Sequence, residues 1–192
     1  MKKSRDTKFV VAAAMLAALT CIATIIIKIP TPTFGYIHLG DGFVLLCGIL
    51  LGPLYGALSA GIGSMFADLF SGYIAFAPAT FVIKAVTALI ASILFRLIKK
   101  IYASASGEYA GILIAGVTGE AFMVIGYFVF EIFLAMIAAG QFTNTAFAAG
   151  VSSSATGIPF NIVQGFIGIV ITALLLPLLK KIPDVRAWIN AE

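Results

Sequence analysis

A lysine at position 84 lies in the segment FAPATFVIKAV, which is otherwise almost entirely apolar. Asp68 has a similar setting in GSMFADLF. Isolated charges are costly in such surroundings, and in membrane helices they usually face the interior and mark a binding site or a transport pathway. Lys84 and Asp68 are therefore candidate ligand contacts, although Asp68 could instead cap a helix or anchor a loop.

Other polar residues recur on single faces of predicted helices. Thr80, Lys84 and Thr87 share one face through i, i+3 and i+4 spacing, and Tyr127 and Glu131 share another. A third face carries two amide side chains and two glycines, namely Gly157, Asn161, Gln164 and Gly168. These three faces are candidates for the walls of one polar site.

The composition places these faces in a membrane. Of the 192 residues, 61% are hydrophobic and 10% are charged, whereas soluble domains carry about 25% charged residues. A helix needs about 20 residues to cross the apolar core of a bilayer. Six candidate helices span 9–27, 40–51, 53–71, 79–98, 109–138 and 155–179. We therefore expect an all-α integral membrane protein, a compact bundle of six transmembrane helices in a single domain over 1–192.

The basic residues predict how this bundle is oriented. Ten of the twelve lysine and arginine residues lie before the first helix, between the fourth and fifth helices, or after the sixth helix. The positive-inside rule makes this side cytoplasmic. Both termini are therefore predicted to be cytoplasmic, and the loops 28–39, 72–78 and 139–154 are predicted to face outward.

The polar faces share one depth in the membrane. With a rise of about 1.5 Å per residue, Lys84 lies roughly 8 Å and Glu131 roughly 10 Å below the outer surface, and the two amides lie roughly 9–14 Å below it. Asp41 and Asp68 are near the outer ends of helices 2 and 3, and His38 joins them if the first outer loop folds over the site. We predict a pocket open to the outside, with the candidate substrate-binding residues Lys84, Tyr127, Glu131, Asn161, Gln164, Thr80, His38, Asp41 and Asp68.

The same residues also allow structural explanations. Lys84 and Glu131 could form an ion pair that only fixes helix packing. Asn161 and Gln164 could form hydrogen bonds between helices. Glu120 lies far deeper on the face of Glu131, where a structural or coupling role is as reasonable as ligand contact.

Motifs for catalysis or for energy use are absent from the sequence. It contains no P-loop pattern, no HExxH and no GxSxG. Cys21 and Cys47 have no CxxC spacing, and there is a single histidine, so neither a disulfide framework nor a metal site is expected. We predict no catalytic residues, no cofactor, no metal and no nucleic-acid partner.

Small residues at four-residue spacing form a second pattern. Such ladders let membrane helices approach closely. Helix 1 carries Ala13 and Ala17, and helix 3 carries Gly52, Gly56, Ala60 and Ser64. Internal packing is the favoured interpretation for helix 3. The ladder of helix 1 is consistent either with internal packing or with a surface for another membrane subunit.

The whole chain resembles the S components of energy-coupling-factor (ECF) vitamin transporters, which are their substrate-binding subunits. The resemblance is carried by the Ala13–Ala17 pattern, by the block GDGFVLLCGILLGPLYGALSAGIGSMFADLFSGY, and by the segments PATFVIK and TGIPFNIVQG. Within the family, the sequence looks most similar to the subgroup around riboflavin, hydroxymethylpyrimidine and pyridoxine.

This resemblance implies a transport mechanism. An S component in a prokaryotic plasma membrane binds a vitamin from outside with high affinity. It then associates with a membrane T component and two ATPase subunits, topples in the bilayer and releases the vitamin inside. Helices 1–3 would form the coupling half, with Ala13 and Ala17 on its surface, and helices 4–6 with the outer loops would form the substrate half.

The identity of the vitamin is predicted less directly. Trp188 is the only tryptophan and lies in the cytoplasmic tail, so no tryptophan can stack on a large ring system. We expect a B6 vitamer first, hydroxymethylpyrimidine second and riboflavin third. Two other classes of function stay open, a structural or regulatory membrane subunit without a ligand and a small carrier or channel that acts alone.

Overall fold

The computed structural model describes residues 7–31, 33, 35–102 and 105–190, so part of each predicted cytoplasmic terminus lies outside the described residues. The described chain forms helices and one antiparallel two-stranded hairpin. In chain order these are α1 (Thr7–Ile26), β1 (Lys28–Pro30), β2 (Tyr36–His38), α2 (Asp41–Ser71), α3 (Ala77–Ile101), α4 (Ala105–Ala138), α5 (Asn144–Ala155), α6 (Ile158–Leu179) and α7 (Pro183–Asn190). The predicted helical class is confirmed.

Within the described residues, five helices are long and apolar enough to cross a membrane, where the sequence predicted six. They are α1, α2, α3, α4 and α6. The difference arises because the predicted helices 40–51 and 53–71 belong to one element, α2. That element is broken at Gly52, which has φ +82° and ψ 178°, a backbone conformation that is essentially restricted to glycine.

The two parts of α2 fold back on each other at this break. A Cβ added to Gly56 would lie 2.7 Å from the Cα of Gly48, whereas eight residues of a straight helix span about 12 Å. The first part, 41–51, is only about 16 Å long, roughly half of the apolar core of a bilayer. The second part, 53–71, returns towards the hairpin, where the Tyr36 hydroxyl donates to Asp68.

Two shorter helices occupy segments that the sequence predicted to be irregular. The polar loop predicted over 139–154 contains α5, whose first turn is capped by Thr143 accepting from the amide of Ala146 at 3.1 Å. The predicted basic tail contains α7, in which Trp188 packs edge-on against Phe9 with ring centroids 5.5 Å apart. Both helices are shorter than the 20-residue apolar run on which the prediction relied.

The core of the bundle is centred on α2. Leu45 and Leu46 of its first part pack in one cluster with Phe95 of α3, Ile112 of α4 and Leu176 of α6. This cluster lies beyond the polar residues of the predicted pocket, towards the ends of α3 and α6 where the basic residues stand. The pocket residues are therefore carried by helices that share a common apolar core.

The small-residue ladders contribute to this packing. A Cβ added to Gly63 of α2 would lie 3.0 Å from the carbonyl carbon of Ala17, so α1 and the second part of α2 touch closely. Ala13 is buried in the core cluster, whereas Ala14 and Ala18 are exposed. The Ala13 and Ala17 positions thus take part in internal packing, and the neighbouring alanines form the outer surface of α1.

Candidate functional site

One cavity gathers most of the predicted pocket residues. It lies between the hairpin, the second part of α2, and the ends of α3, α4 and α6 nearest to the hairpin. Seven of the nine predicted substrate-binding residues line it, namely His38, Asp68, Thr80, Tyr127, Glu131, Asn161 and Gln164. The three helix faces that the spacing and the depth estimate grouped therefore meet at one cavity, and their contact with a ligand stays a prediction.

Asp68 forms one wall of the cavity with an incomplete set of hydrogen bonds. Its Oδ1 accepts from the Tyr36 hydroxyl at 2.7 Å. Its Oδ2 is buried and makes no hydrogen bond of regular geometry in the part of the chain that the structure describes, although the Thr80 hydroxyl is close enough to interact with this carboxyl group. Thr80 itself accepts from the Tyr127 hydroxyl at 3.1 Å. This wall therefore offers an unused carboxyl oxygen next to two hydroxyl groups.

Glu131 stands on a second wall and is held by the hairpin loop. Thr33 donates to Glu131 Oε1 at 3.2 Å, and the hydroxyls of Thr33 and Thr31 lie 2.8 Å apart. The backbone of Gly35 passes close to the same carboxyl, since a Cβ added there would lie 3.5 Å from Oε1. The carboxyl group of α4 and the loop between β1 and β2 thus close one side of the cavity together.

Lys84 does not line the cavity, and its partner is Asp41. The Lys84 ammonium donates to Asp41 Oδ1, and both side chains are completely buried. The predicted pair between Lys84 and Glu131 is therefore wrong. The two residues have similar depths, but Lys84 points towards the first residue of α2. Its Nζ also lies 5.3 Å from the centroid of the Tyr127 ring.

The buried pair is connected to the cavity through Gln164. The Gln164 side-chain amide donates to Asp41 Oδ2 at 2.7 Å, and its carbonyl oxygen accepts from the backbone amide of His38 at 2.9 Å. A continuous chain of hydrogen bonds therefore runs from Lys84 in α3 through α2 and α6 to the hairpin. Asp41 and Lys84 act on the cavity through Gln164, which lines it.

The hairpin carries two titratable residues into the cavity wall. His38 was expected to be solvated unless its loop folded inward, and the structure shows it buried, with Nδ1 accepting from the amide of Gly40 at 3.0 Å. Burial lowers the pKa of His38 to about 3, so the imidazole is neutral at pH 7. Burial and the neighbouring Asp68 raise the pKa of Tyr36, which therefore stays a hydroxyl donor.

Four lining residues were missed by the sequence reasoning. They are Thr31, Gly35, Tyr36 and Phe76. The first three belong to the hairpin region, whose sequence KIPTPTFGYIH has two short runs of strand-forming residues joined by a loop that contains glycine, a recognisable hairpin pattern. The rings of Tyr36 and Tyr73 lie 4.5 Å apart by their centroids, and those of Phe76 and Phe130 lie 5.3 Å apart. The cavity therefore has an aromatic side as well as a polar one.

Glu120 lies outside this cavity, deeper in the bundle. It is buried, and neither carboxyl oxygen has a hydrogen-bond partner among the described residues. A Cβ added to Gly165 would lie 2.8 Å from the Cβ of Glu120, so the side chain packs directly on α6. Among the described residues, no group of three or more histidine, cysteine, aspartate or glutamate side chains could hold a metal ion.

Comparisons with known proteins agree with this architecture. Residues 4–181 match the family model described as ECF-type riboflavin transporter, S component. The solved structure of the S component of a bacterial ECF transporter aligns with a TM-score of 0.64 at 20% identity, covering 92% of this chain and 98% of that chain. The S component for biotin from an ECF-type ABC transporter aligns with a TM-score of 0.60 at 18% identity, covering 91% and 95%. At these identities the two structures show a common fold.

One curated relative is closer in sequence over a shorter stretch. It is an uncharacterized protein from the gap 3′ region of Pyrococcus woesei, 34% identical over 107 residues. The match covers 55% of this chain and 66% of that protein, slightly less than two thirds of its length.

Proposed function

Because the chain belongs to the family of S components of ECF-type transporters, we propose that it binds a B6 vitamer in the cavity beneath the hairpin. S components are vitamin-binding membrane subunits that work with an ECF module, and they are not enzymes. The sequence-based recognition of the family and the expectation of a non-enzymatic protein are therefore confirmed. The choice of vitamin and the residues that contact it are our proposal.

The observation that carries this proposal is the convergence of polar side chains from the hairpin and four helices on one small cavity. The polar groups and aromatic rings that line it suit a ligand with one aromatic ring and a few hydroxyl or amino substituents. Phe76, Tyr36 and Tyr127 offer ring contacts, and Asp68, Glu131 and Asn161 offer hydrogen bonds to the substituents.

Hydroxymethylpyrimidine is the second candidate, because it has a single ring and similar hydrogen-bonding groups. Riboflavin is the third candidate and is favoured by the description of the matching family model. It ranks third because Trp188, the single tryptophan of the sequence, lies in α7 at the other end of the bundle and cannot stack on three fused rings.

For the topology, we infer six helical passages when the two parts of α2 are considered separately. The described basic residues support a common cytoplasmic side. Lys8 at the start of α1 lies 3.3 Å from Asp184 of α7, and Lys180 at the end of α6 pairs with Glu108 at the start of α4. This arrangement brings three chain segments to one end of the bundle, opposite the hairpin. It is consistent with a prokaryotic plasma-membrane protein with both termini inside.

For the coupling partner, we propose that α1 and the second part of α2 meet the membrane T component of an ECF module with two ATPase subunits. These two helices line a wide apolar groove whose members include Ala14, Ala18, Leu58 and Phe66. Small residues on α1 would let a partner helix approach closely. The predicted coupling residues Ala13 and Ala17 lie at the base of this groove.

The direct test is a thermal-shift screen of the purified protein against vitamins. We expect pyridoxine, pyridoxal or pyridoxamine to raise the melting temperature, since a ligand at 100 times its Kd stabilises the folded state by about 2.7 kcal/mol. Stabilisation by hydroxymethylpyrimidine or riboflavin alone would replace the proposed vitamin. If no vitamin stabilised the protein, a membrane subunit without a ligand would be the better explanation.

A further inference from the structure

Among the residues that the structure describes, the cavity lining includes two carboxyl groups and no lysine or arginine, and we propose that the cavity selects the neutral or cationic forms of its vitamin and excludes phosphorylated and carboxylated forms. This inference rests on the proposed function and adds a ligand class to it. The ligand carries hydrogen-bond donors, hydroxyl or amino groups, at two positions of its ring system. One donor meets Asp68 Oδ2 and the other meets the Glu131 carboxyl.

Asp68 supplies the first half of the argument. Its side chain is 5% exposed, and Oδ2 has no hydrogen-bond partner in the described chain. A buried acceptor without a partner is destabilising, because it has lost its contact with water and gained no donor from the protein. A ligand hydroxyl or amino group that donates to Oδ2 removes this cost, whereas a ligand phosphate or carboxylate, which brings only further acceptors, does not.

Glu131 supplies the second half from a different helix. It lines the cavity and is 4% exposed. Thr33 donates only to Oε1, at 3.2 Å. The carboxyl group thus retains acceptor capacity on the cavity side, since each carboxyl oxygen can accept more than one hydrogen bond.

In the described part of the chain, the lysines nearest to the cavity bind other groups. Lys84 is paired with Asp41 beneath the cavity and is not among the lining residues. Lys28 donates to the Ser71 hydroxyl at 2.9 Å and lies 5.9 Å from the centroid of the Tyr36 ring, outside the lining. His38 lines the cavity, but it is neutral at pH 7 because burial lowers its pKa to about 3. An anionic ligand would therefore be desolvated without a counter-charge.

This absence of a counter-charge has a measurable consequence. Burying an unpaired charge is costly, because the apolar surroundings replace its water without supplying a counter-charge. We expect a phosphorylated vitamer to bind on the order of 100-fold or more weakly than its unphosphorylated form. The comparison is independent of the ring system, because the phosphate is the only difference within each pair.

The experiment measures binding of matched pairs to the purified full chain by calorimetry at pH 7. The pairs are pyridoxine with pyridoxine 5′-phosphate, hydroxymethylpyrimidine with its phosphate, and riboflavin with its 5′-phosphate, and 4-pyridoxic acid tests a carboxylate. We expect binding of at least one unphosphorylated vitamin and exclusion of its phosphate. Equal affinities within a pair would overturn the charge selection and leave the proposed function intact. Absence of binding by every vitamin would overturn both.

Two variants identify the residues responsible. Asp68→Asn and Glu131→Gln should each weaken binding of the unphosphorylated vitamin. Each should also reduce, at least tenfold, the ratio of the affinity for the unphosphorylated vitamin to the affinity for its phosphate. Glu108→Gln is the matched control, because that carboxyl pairs with Lys180 at the other end of the bundle, and its ratio should equal that of the wild type. An unchanged affinity ratio in both variants would refute the assignment of charge selection to Asp68 and Glu131. If one variant fails to fold, the ratio measured for the other variant decides the question.

Discussion

Replacing Lys84 with methionine should destabilise the protein by removing the positive charge from a buried ion pair. The side chains of Lys84 and Asp41 are both 0% exposed, so the carboxylate would lose its cation without gaining water. Removing one partner of a buried pair costs about 3–5 kcal/mol. At about 2–4 °C per kcal/mol for a chain of this size, the melting temperature should fall by roughly 6–20 °C. Methionine preserves the apolar stem, so little of this loss comes from packing.

Double variants distinguish the partner of Lys84. Lys84→Met combined with Asp41→Asn should recover most of the lost stability, because the remaining amide is neutral and still bonds Gln164. Lys84→Met combined with Glu131→Gln should recover none of it, since Glu131 is held by the hairpin loop instead. The assay heats the purified protein in detergent and measures the remaining monomer by size-exclusion chromatography. Rescue by the Glu131 change and not by the Asp41 change would refute the pairing.

Ligand affinity provides an independent check on the same residue. Lys84 does not line the cavity, and it reaches the cavity only through Asp41 and Gln164. A disturbed hydrogen bond is worth about 1 kcal/mol, so folded Lys84→Met protein should bind its vitamin within about tenfold of the wild-type affinity. A loss beyond about 100-fold that Asp41→Asn does not restore would make Lys84 a ligand contact.

Three further predictions concern acid stability, topology and the break in α2. A histidine in the unfolded chain gains a proton below about pH 6.5, whereas His38 in the folded protein stays neutral down to about pH 3. The free energy of unfolding should therefore fall by about 2 kcal/mol between pH 6.5 and pH 5. In unfolding experiments, His38→Gln should remove this part of the fall. In a background without cysteines, a thiol reagent that does not cross membranes should label Thr143→Cys only from outside and Tyr102→Cys only from the cytoplasm. The reverse pattern of labelling would overturn the predicted orientation. Gly52→Ala should lower stability by about 1–3 kcal/mol because its φ is positive, and an unchanged melting temperature would contradict the observed break.

Two regular properties of membrane helices explain why much of the cavity could be predicted from the sequence. Helical spacing assigns side chains to faces, and the rise per residue assigns them to depths. Thr80, Tyr127, Glu131 and Gln164 come from three helices, yet both rules place them together, and they all line one cavity. No knowledge of which helices are neighbours was needed for this result.

The rotation of one helix relative to the next could not be predicted in the same way. Depth alone allowed Lys84 to meet either Asp41 or Glu131, and only the packing of α3 against α2 decides between them. Gly48 of α2 sits directly on α3, where an added Cβ would lie 3.2 Å from the Cα of Ala88. This close approach places the first residues of α2 beside Lys84. The short helices α5 and α7 were missed because they lack a membrane-length apolar run.

Gln164 connects the buried pair of Lys84 and Asp41 to the wall of the cavity. An amide side chain can be turned about its last bond, and its orientation is set by its partners. Asp41 accepts from the nitrogen at 2.7 Å and leaves the oxygen for the amide of His38 at 2.9 Å. Without an ionised Asp41, either orientation of the amide would be possible, and only one of them bonds the hairpin. Lys84 is the buried counter-charge of Asp41, so a charge outside the cavity helps to fix the orientation of an amide in the cavity wall.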